Sequence, residues 1–163
     1  MDGKEVGRPN NERLFYVYMG DGHVPREDTH VKVHQPVEVI GKIAFRNCEE
    51  LKEVELPKSL LKIGYYAFRG CKSLAWITIP TTVTEIGHGA FNGCRSLEEV
   101  VLPVGLKNLW GWAFSSCHSL RRINIPLIAC MVEYIFCYCP SLEEVTLSEG
   151  IHGIGEEAFA GCK

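Results

Sequence analysis

Apolar residues along this chain follow neither a single helical period nor a simple strand alternation. They return as a block. Leu51, Val54, Leu56, Leu60, Ile63, Ala67, Phe68 and Cys71 are answered by Leu74, Ile77, Ile79, Val83, Ile86, Ala90, Phe91 and Cys94. Phe45, Phe68, Phe91, Phe114, Phe136 and Phe159 keep a beat of 23 residues, with one step of 22. Cys48, Cys71, Cys94, Cys117, Cys139 and Cys162 follow three residues later, and Leu51, Leu74, Leu97, Leu120 and Leu142 three residues after those. A period of this length marks stacked supersecondary units, each too small to bury its apolar face without its neighbours.

Within one block the elements are legible. Val54 and Leu56 share one side of a short strand, while Glu53 and Glu55 take the other. Pro57 ends that strand because it has no N–H for a ladder. Leu60 and Ile63 predict a second extended leg, and Gly64 a sharp corner. Tyr65 to Cys71 reads as a helical turn that carries Phe68 into the centre of the layer, with Ala67 small enough for close approach.

These turns resemble the BspA-type leucine-rich repeat, in which L-x-x-V-x-I-P is followed by V-x-x-I-G-x-x-A-F-x-x-C. The resemblance covers residues 29–163 and recurs in nearly every turn. It implies an α/β repeat solenoid of about five to six turns. That solenoid would be right-handed, with a short-strand parallel sheet on its concave side and short helical turns on its convex side. It implies no enzymatic activity and no catalytic residues.

The ends and one interior turn depart from the pattern. Val31, Val33, Val37, Ile40, Gly41, Ala44 and Phe45 form a degenerate first turn, with His34 where Pro57 would stand. Residues 13–33, with the alternating run Leu14-Phe15-Tyr16-Val17-Tyr18 and the turn signal Gly20-Asp21-Gly22, read as a strand or hairpin cap. Residues 1–12 read as a flexible tail. Nothing polar follows Cys162 and Lys163 to cap the last turn, which leaves two expectations: a piece of a longer array, or an open end that self-associates end to end. In the fourth turn Trp110 replaces the corner glycine. In the fifth, Val132 replaces that glycine, Ile135 replaces the small alanine and one residue is lost, so the stack should bend or widen there.

Composition narrows the function classes. The 163 residues carry a formal charge of −3, which argues against a broad grip on nucleic-acid phosphates, and no apolar run is long enough to insert into a membrane. The polar start, Met1 to Arg13, lacks a secretory pattern and points to the cytoplasm; the alternative is a cell-surface location whose signal lies outside this chain. Of eight cysteines, six hold one repeat position, where a thiol fills a narrow space and reaches a nearby carbonyl; parallel rungs suit disulfide geometry poorly. Cys130, Cys137 and Cys139, with His118, raise a zinc site, but their spacing matches no common ligand pairing, so no metal and no cofactor is expected. The acidic pairs Glu49-Glu50, Glu98-Glu99 and Glu143-Glu144 fit a solvated face better than acid–base chemistry. Neither His23, His30, His34, His88, His118 and His152 nor Gly20-Asp21-Gly22 forms a catalytic or phosphate-binding pattern.

What remains is surface. The concave strands should present one row of His30, Glu53, Trp76, Glu99, Arg122 and Glu144, and another of Lys32, Glu55, Thr78, Val101, Asn124 and Thr146. Trp76 is the natural interface anchor among them, and Glu53, Glu55, Trp76, Thr78, Glu99, Val101, Arg122, Asn124 and Glu144 form the expected partner-binding set. A second candidate is a convex aromatic patch of Tyr66, Trp110, Trp112 and Tyr134, with Tyr65 beside it; its rings either dock a partner or fold down to seal the stack. The expected function is a non-catalytic scaffold that binds a protein partner through the concave sheet. The alternatives are a cell-surface adhesion segment of a longer array and a structural spacer or assembly subunit.

Overall fold

The computed structural model describes residues 16–127, 133–151 and 153–163. The chain winds into a parallel solenoid with three ladders per turn. The first ladder contains β1 (Tyr16–Tyr18), β2 (His30–Val33) and, beyond the short β3 (Val39–Ile40), β4 (Glu53–Glu55). β5 (Lys62–Ile63) and β6 (Glu85–Ile86) continue the row begun by β3. β7 (Glu99–Val101) returns to the first ladder, β8 (Asn108–Leu109) to the second, and β9 (Arg122–Ile125) and β10 (Glu144–Leu147) complete the first. Every pairing is parallel and in register with the repeat: Lys62 lies beside Glu85, and Ile123 beside Val145.

The first ladder is split. β1, β2 and β4 form one sheet, and β7, β9 and β10 another. Between them, the third turn contributes only a bridge from Trp76 to Glu99. The second ladder, β3-β5-β6-β8, runs without interruption through the same turns. The second extended leg expected around Leu60 and Ile63 is therefore a continuous narrow sheet.

The third side corrects one expectation. No helix occurs among the described residues; the segment from Tyr65 to Cys71 is a run of tight turns. Two residues in each turn adopt a left-handed backbone, at the positions two before and two after the phenylalanine. Ile43, Tyr66, Trp112 and Tyr134 do so at φ 52–61°, and Asn47, Ser116 and Tyr138 at 58–60°. Left-handed residues interrupt a helix, at about 1–2 kcal/mol each for a non-glycine. In exchange, alternate N–H groups turn out of the local chain toward the next turn. Ile43 N–H donates to Tyr65 O (2.9 Å), Phe45 N–H to Ala67 O (2.8 Å) and Asn47 N–H to Arg69 O (2.7 Å). The intervening Arg46 and Cys48 N–H groups close back on Ile43 O and Phe45 O. A helix would satisfy only its own backbone; this arrangement makes a third inter-turn ladder.

The N-terminal segment supplies a second correction. β1 runs parallel to β2, with Tyr16 beside Val31 and Tyr18 beside Val33, so the two strands are not a hairpin. The chain from Gly20 onward travels around the stack, where Val24 N–H donates to Ala44 O at 2.8 Å. The buried Tyr18 ring then packs on Phe45 at 5.3 Å and closes that end of the aromatic column.

The core is a set of columns. Phe45, Phe68, Phe91, Phe114 and Phe136 are fully buried, and successive rings stack with centroids 4.5–6.1 Å apart. That spacing lies within the favourable range for aromatic pairs. The widest step, 6.1 Å, separates Phe114 from Phe136. Ile135 is buried there in place of the usual alanine, while the backbone ladder stays closed, with Phe114 N–H donating to Ile135 O at 3.0 Å. Val132 lies outside the described residues. The cysteines form a parallel column: Sγ of Cys71, Cys94, Cys117, Cys139 and Cys162 lies 3.1–3.3 Å from the carbonyls of Phe45, Phe68, Phe91, Phe114 and Phe136, respectively. Burial pushes the Cys48 thiol up to about 11 and that of Cys139 to about 12. These thiols are weak donors packed in apolar surroundings, not nucleophiles.

Candidate partner-binding surface

On the first ladder, inward residues belong to the core and outward ones form the two expected rows. The strand register places His30 beside Glu53, Lys32 beside Glu55, Glu99 beside Arg122 and Arg122 beside Glu144. At both ends of the ladder these side chains are engaged with one another. Lys32 Nζ meets Glu55 Oε2 at 2.9 Å, His30 Nε2 lies 3.8 Å from Glu53 Oε2, and Arg122 Nε lies 3.9 Å from Glu144 Oε2. The Lys32–Glu55 and Arg122–Glu144 pairs are exposed and add at most about 1 kcal/mol each, whereas His30 and Glu53 are each only 21% exposed.

Asn124 also ties two turns together. Its Nδ2 donates to Leu102 O at 3.1 Å, and its Oδ1 accepts from Leu102 N–H at 2.8 Å. The side-chain amide thus pairs with a backbone amide of the neighbouring turn, as an extra rung would. Val101, beside it, is 65% exposed, and Glu99, Val101, Arg122, Asn124 and Glu144 line a shallow depression of about 220 Å³.

The larger feature lies at the split in the ladder. A groove of about 690 Å³ runs between the second and third turns. Its lining includes Glu53, Glu55, Trp76 and Thr78, four residues of the two outward rows. Trp76 is 54% exposed there. The far wall, Lys58 and Pro80 to Thr82, was not singled out from the sequence. Its only sequence signal is the Pro-Thr-Thr step after the strand. The wall is held in place by Thr82, whose Oγ1 donates to Lys58 O (3.0 Å) and Leu60 O (2.7 Å).

The aromatic residues of the turn side fall into two groups. The Tyr66 ring lies flat across Gly89, where a Cβ would come within 2.1 Å of its Cε1. Tyr65 meets Tyr66 edge-on at 4.5 Å and stacks on His88 at 5.0 Å. Lys42 Nζ sits 5.7 Å above Tyr65, and the Arg69 guanidinium 5.0 Å above Tyr66. Further along, Trp112 stacks on Tyr134 at 4.8 Å, and Trp110 Nε1 donates to Glu85 Oε1 at 3.3 Å. Tyr66 therefore seals the stack, whereas Trp110 and Trp112 remain 49% and 37% exposed. His88, which fits no catalytic pattern in the sequence, packs its ring against Tyr65 and Tyr66 of the preceding turn.

Among the described residues, no three His, Cys, Asp or Glu side chains come together to hold a metal ion. Cys137 is buried, and Cys130 lies outside the described residues.

The architecture has solved counterparts. A leucine-rich repeat protein of T. pallidum matches 98% of this chain and 86% of its own, at 26% identity and a TM-score of 0.77. One from Bacteroides ovatus matches at 27% identity and 0.67, covering 84% of this chain and 42% of its own. A leucine-rich cell surface protein of Faecalibacterium prausnitzii matches at 30% identity and 0.72, covering 86% of this chain and 37% of its own. This chain therefore spans less than half the length of the last two. None of the curated proteins matches it. The model of the BspA type leucine rich repeat region matches in six copies over residues 28–129 and 61–163. With its repeated Phe and Cys columns and its parallel ladders, the chain belongs to the BspA-type leucine-rich repeat family.

Proposed function

We propose that this protein is a non-catalytic interaction scaffold that seats a segment of a partner protein in the groove at Trp76. The observation that carries this reading is a half-exposed indole lining a groove of about 690 Å³ where the strand ladder is interrupted. Large aromatic side chains at the centre of a concave surface are the usual anchors of protein interfaces. Glu53 and Glu55 on one wall favour a partner segment with basic or mixed charge, and a lysine or arginine side chain over the indole would gain a cation–π contact. Arg122 and the glutamates further along would tune specificity.

The test is affinity purification from the native cell with wild type and Trp76→Ala in parallel, read by mass spectrometry. A partner retained by wild type and lost from Trp76→Ala, with an unchanged melting temperature, is the expected result. A partner retained equally by both would overturn the assignment to this groove.

A second reading, a cell-surface adhesion segment, is favoured by one observation: the Faecalibacterium prausnitzii relative is described as a cell surface protein. Surface proteolysis of intact native cells separates the two. Rapid loss of the protein supports adhesion, and full protection counts against it.

A further inference from the structure

The turn side carries a charge gradient that the groove reading does not use. The third ladder aligns one residue per turn, because each N–H of one column donates to a carbonyl in the next turn: Tyr66 to His88, Gly89 to Gly111, Trp112 to Glu133 and Tyr134 to Glu156. The column three residues before each phenylalanine therefore reads Lys42, Tyr65, His88, Gly111, Glu133, Glu156. It begins basic and ends acidic. The neighbouring columns agree: Arg46 and Arg69 lie at the first two turns, and Glu157 at the last. The field is felt locally. Arg69 and Arg46 stand beside Tyr66, whereas Glu157, Glu156 and Glu133 surround Tyr134 and push its phenol up. Lys42, Arg46, Glu133, Glu156 and Glu157 are all exposed, and between the two ends lie the exposed rings of Tyr65, Trp110 and Trp112. Glu85, at the margin, is already paired with Lys62 at 2.9 Å.

A stripe that is basic and aromatic at one end and acidic and aromatic at the other complements itself when turned end for end. We infer that this face mediates pairing with a second copy of the same chain, the two stripes running antiparallel about a two-fold axis. In that arrangement Lys42, Arg46 and Arg69 of each copy face Glu133, Glu156 and Glu157 of the other. A two-fold interface uses the same patch on both subunits, so each pair of copies makes the charge contact twice. At about 4.8 Å per turn the stripe is roughly 25 Å long. A contact of that size belongs to the weak, reversible class below about 1,200 Å², and it would be screened by salt. The inference is independent of the Trp76 groove.

The experiment is sedimentation equilibrium of the purified chain over a concentration series at low and high salt, with two charge-reversed variants. Lys42→Glu with Arg69→Glu makes both ends acidic, and Glu133→Lys with Glu156→Lys makes both ends basic. Wild type should form dimers that weaken as salt rises. Each variant alone should lose dimerisation by on the order of tenfold or more. An equimolar mixture of the two variants should dimerise again, because each contact then joins opposite charges; this recovery also shows that neither variant has misfolded. Three results would each overturn the inference: a monomeric wild type throughout, association indifferent to the reversals, or growth past the dimer as in end-to-end stacking.

Discussion

Two columns pass through the same turns two residues apart. The inner one is phenylalanine each time: Phe45, Phe68, Phe91, Phe114, Phe136 and Phe159. The outer one reads Ile43, Tyr66, Gly89, Trp112, Tyr134 and Glu157. Their backbones are equally regular. Every outer residue is left-handed, with φ between 50° and 61°, although only one of them is a glycine. The outer side chains therefore do not determine their own conformation. The stacked rings on one side and the inter-turn N–H to carbonyl bonds on the other impose it, and they overcome about 1–2 kcal/mol of left-handed cost at each non-glycine. Where the interior repeats, the exterior is freer to vary, although Tyr66 still covers Gly89.

The sharpest way to break that comparison is to cut one column at a time. Phe91 stacks on Phe68 and Phe114, both at 5.3 Å, and is fully buried. Phe91→Ala should cost about 3–5 kcal/mol. Trp112→Ala, a larger truncation two residues before Phe114, should cost well under half of that because the indole is 37% exposed. Urea melts of the two variants measure the difference. Equal losses would mean that the outer ring is part of the core after all.

A smaller effect is expected at the corner. A Cβ on Gly87 would sit 2.7 Å from the carbonyl carbon of Gly64, so the backbones of the second and third turns touch there. Gly87→Ala should cost about 1–3 kcal/mol through overpacking. One turn later Trp110 holds the same position and its N–H still donates to Ile86 O at 3.0 Å. The ladder bond therefore outlasts the glycine, and Trp110→Ala should be nearly neutral in the same melts.

These contrasts explain what the sequence made legible. Core identity repeats, so the Phe, Cys and Leu columns and both strand rows could be read from spacing alone. The helical expectation fails because the signal against it is spread across turns. Asn47, Gly70, Gly93 and Gly161 stand at one repeat position, a left-handed signature that is visible only when the turns are aligned as a column. The hairpin alternative fails because a turn signal says where the chain bends, not how far it travels before pairing. At the surface, the rows of Glu53, Glu99 and Arg122 followed from register. The tie between Asn124 and Leu102 and the wall of Lys58 to Thr82 did not, because they depend on side-chain reach between turns.

The thiol column tests the interior by a different route. Burial raises the thiol pKa of Cys48 to about 11 and of Cys139 to about 12, from an ordinary 9.0. A raised pKa means that the folded state favours the neutral thiol. That preference is fully present below pH 9 and is lost as pH rises through the folded values. At pH 10 the unfolded chain ionises while the folded one does not, a loss of roughly 1 kcal/mol per thiol. Melting under reducing conditions should therefore weaken between pH 8 and pH 10. Replacing Cys139 by Ala should lower stability at pH 8 but reduce the slope with pH. A slope identical to wild type would remove this thiol from the account.

The smallest effect discriminates best between a helix and the paired turns seen here. Gly93 has φ +74°, and a Cβ added there would approach nothing nearer than 3.8 Å, so space is not limiting. In a helix, Gly→Ala would stabilise by about 1 kcal/mol. In a left-handed turn the same change incurs about 1–2 kcal/mol of backbone strain, offset in part by the smaller entropy of the unfolded chain. Gly93→Ala should therefore lower stability by about 0.5–1 kcal/mol. The two geometries predict opposite signs, so a melting temperature that falls supports left-handed turns on the outer side, and one that rises supports a helix.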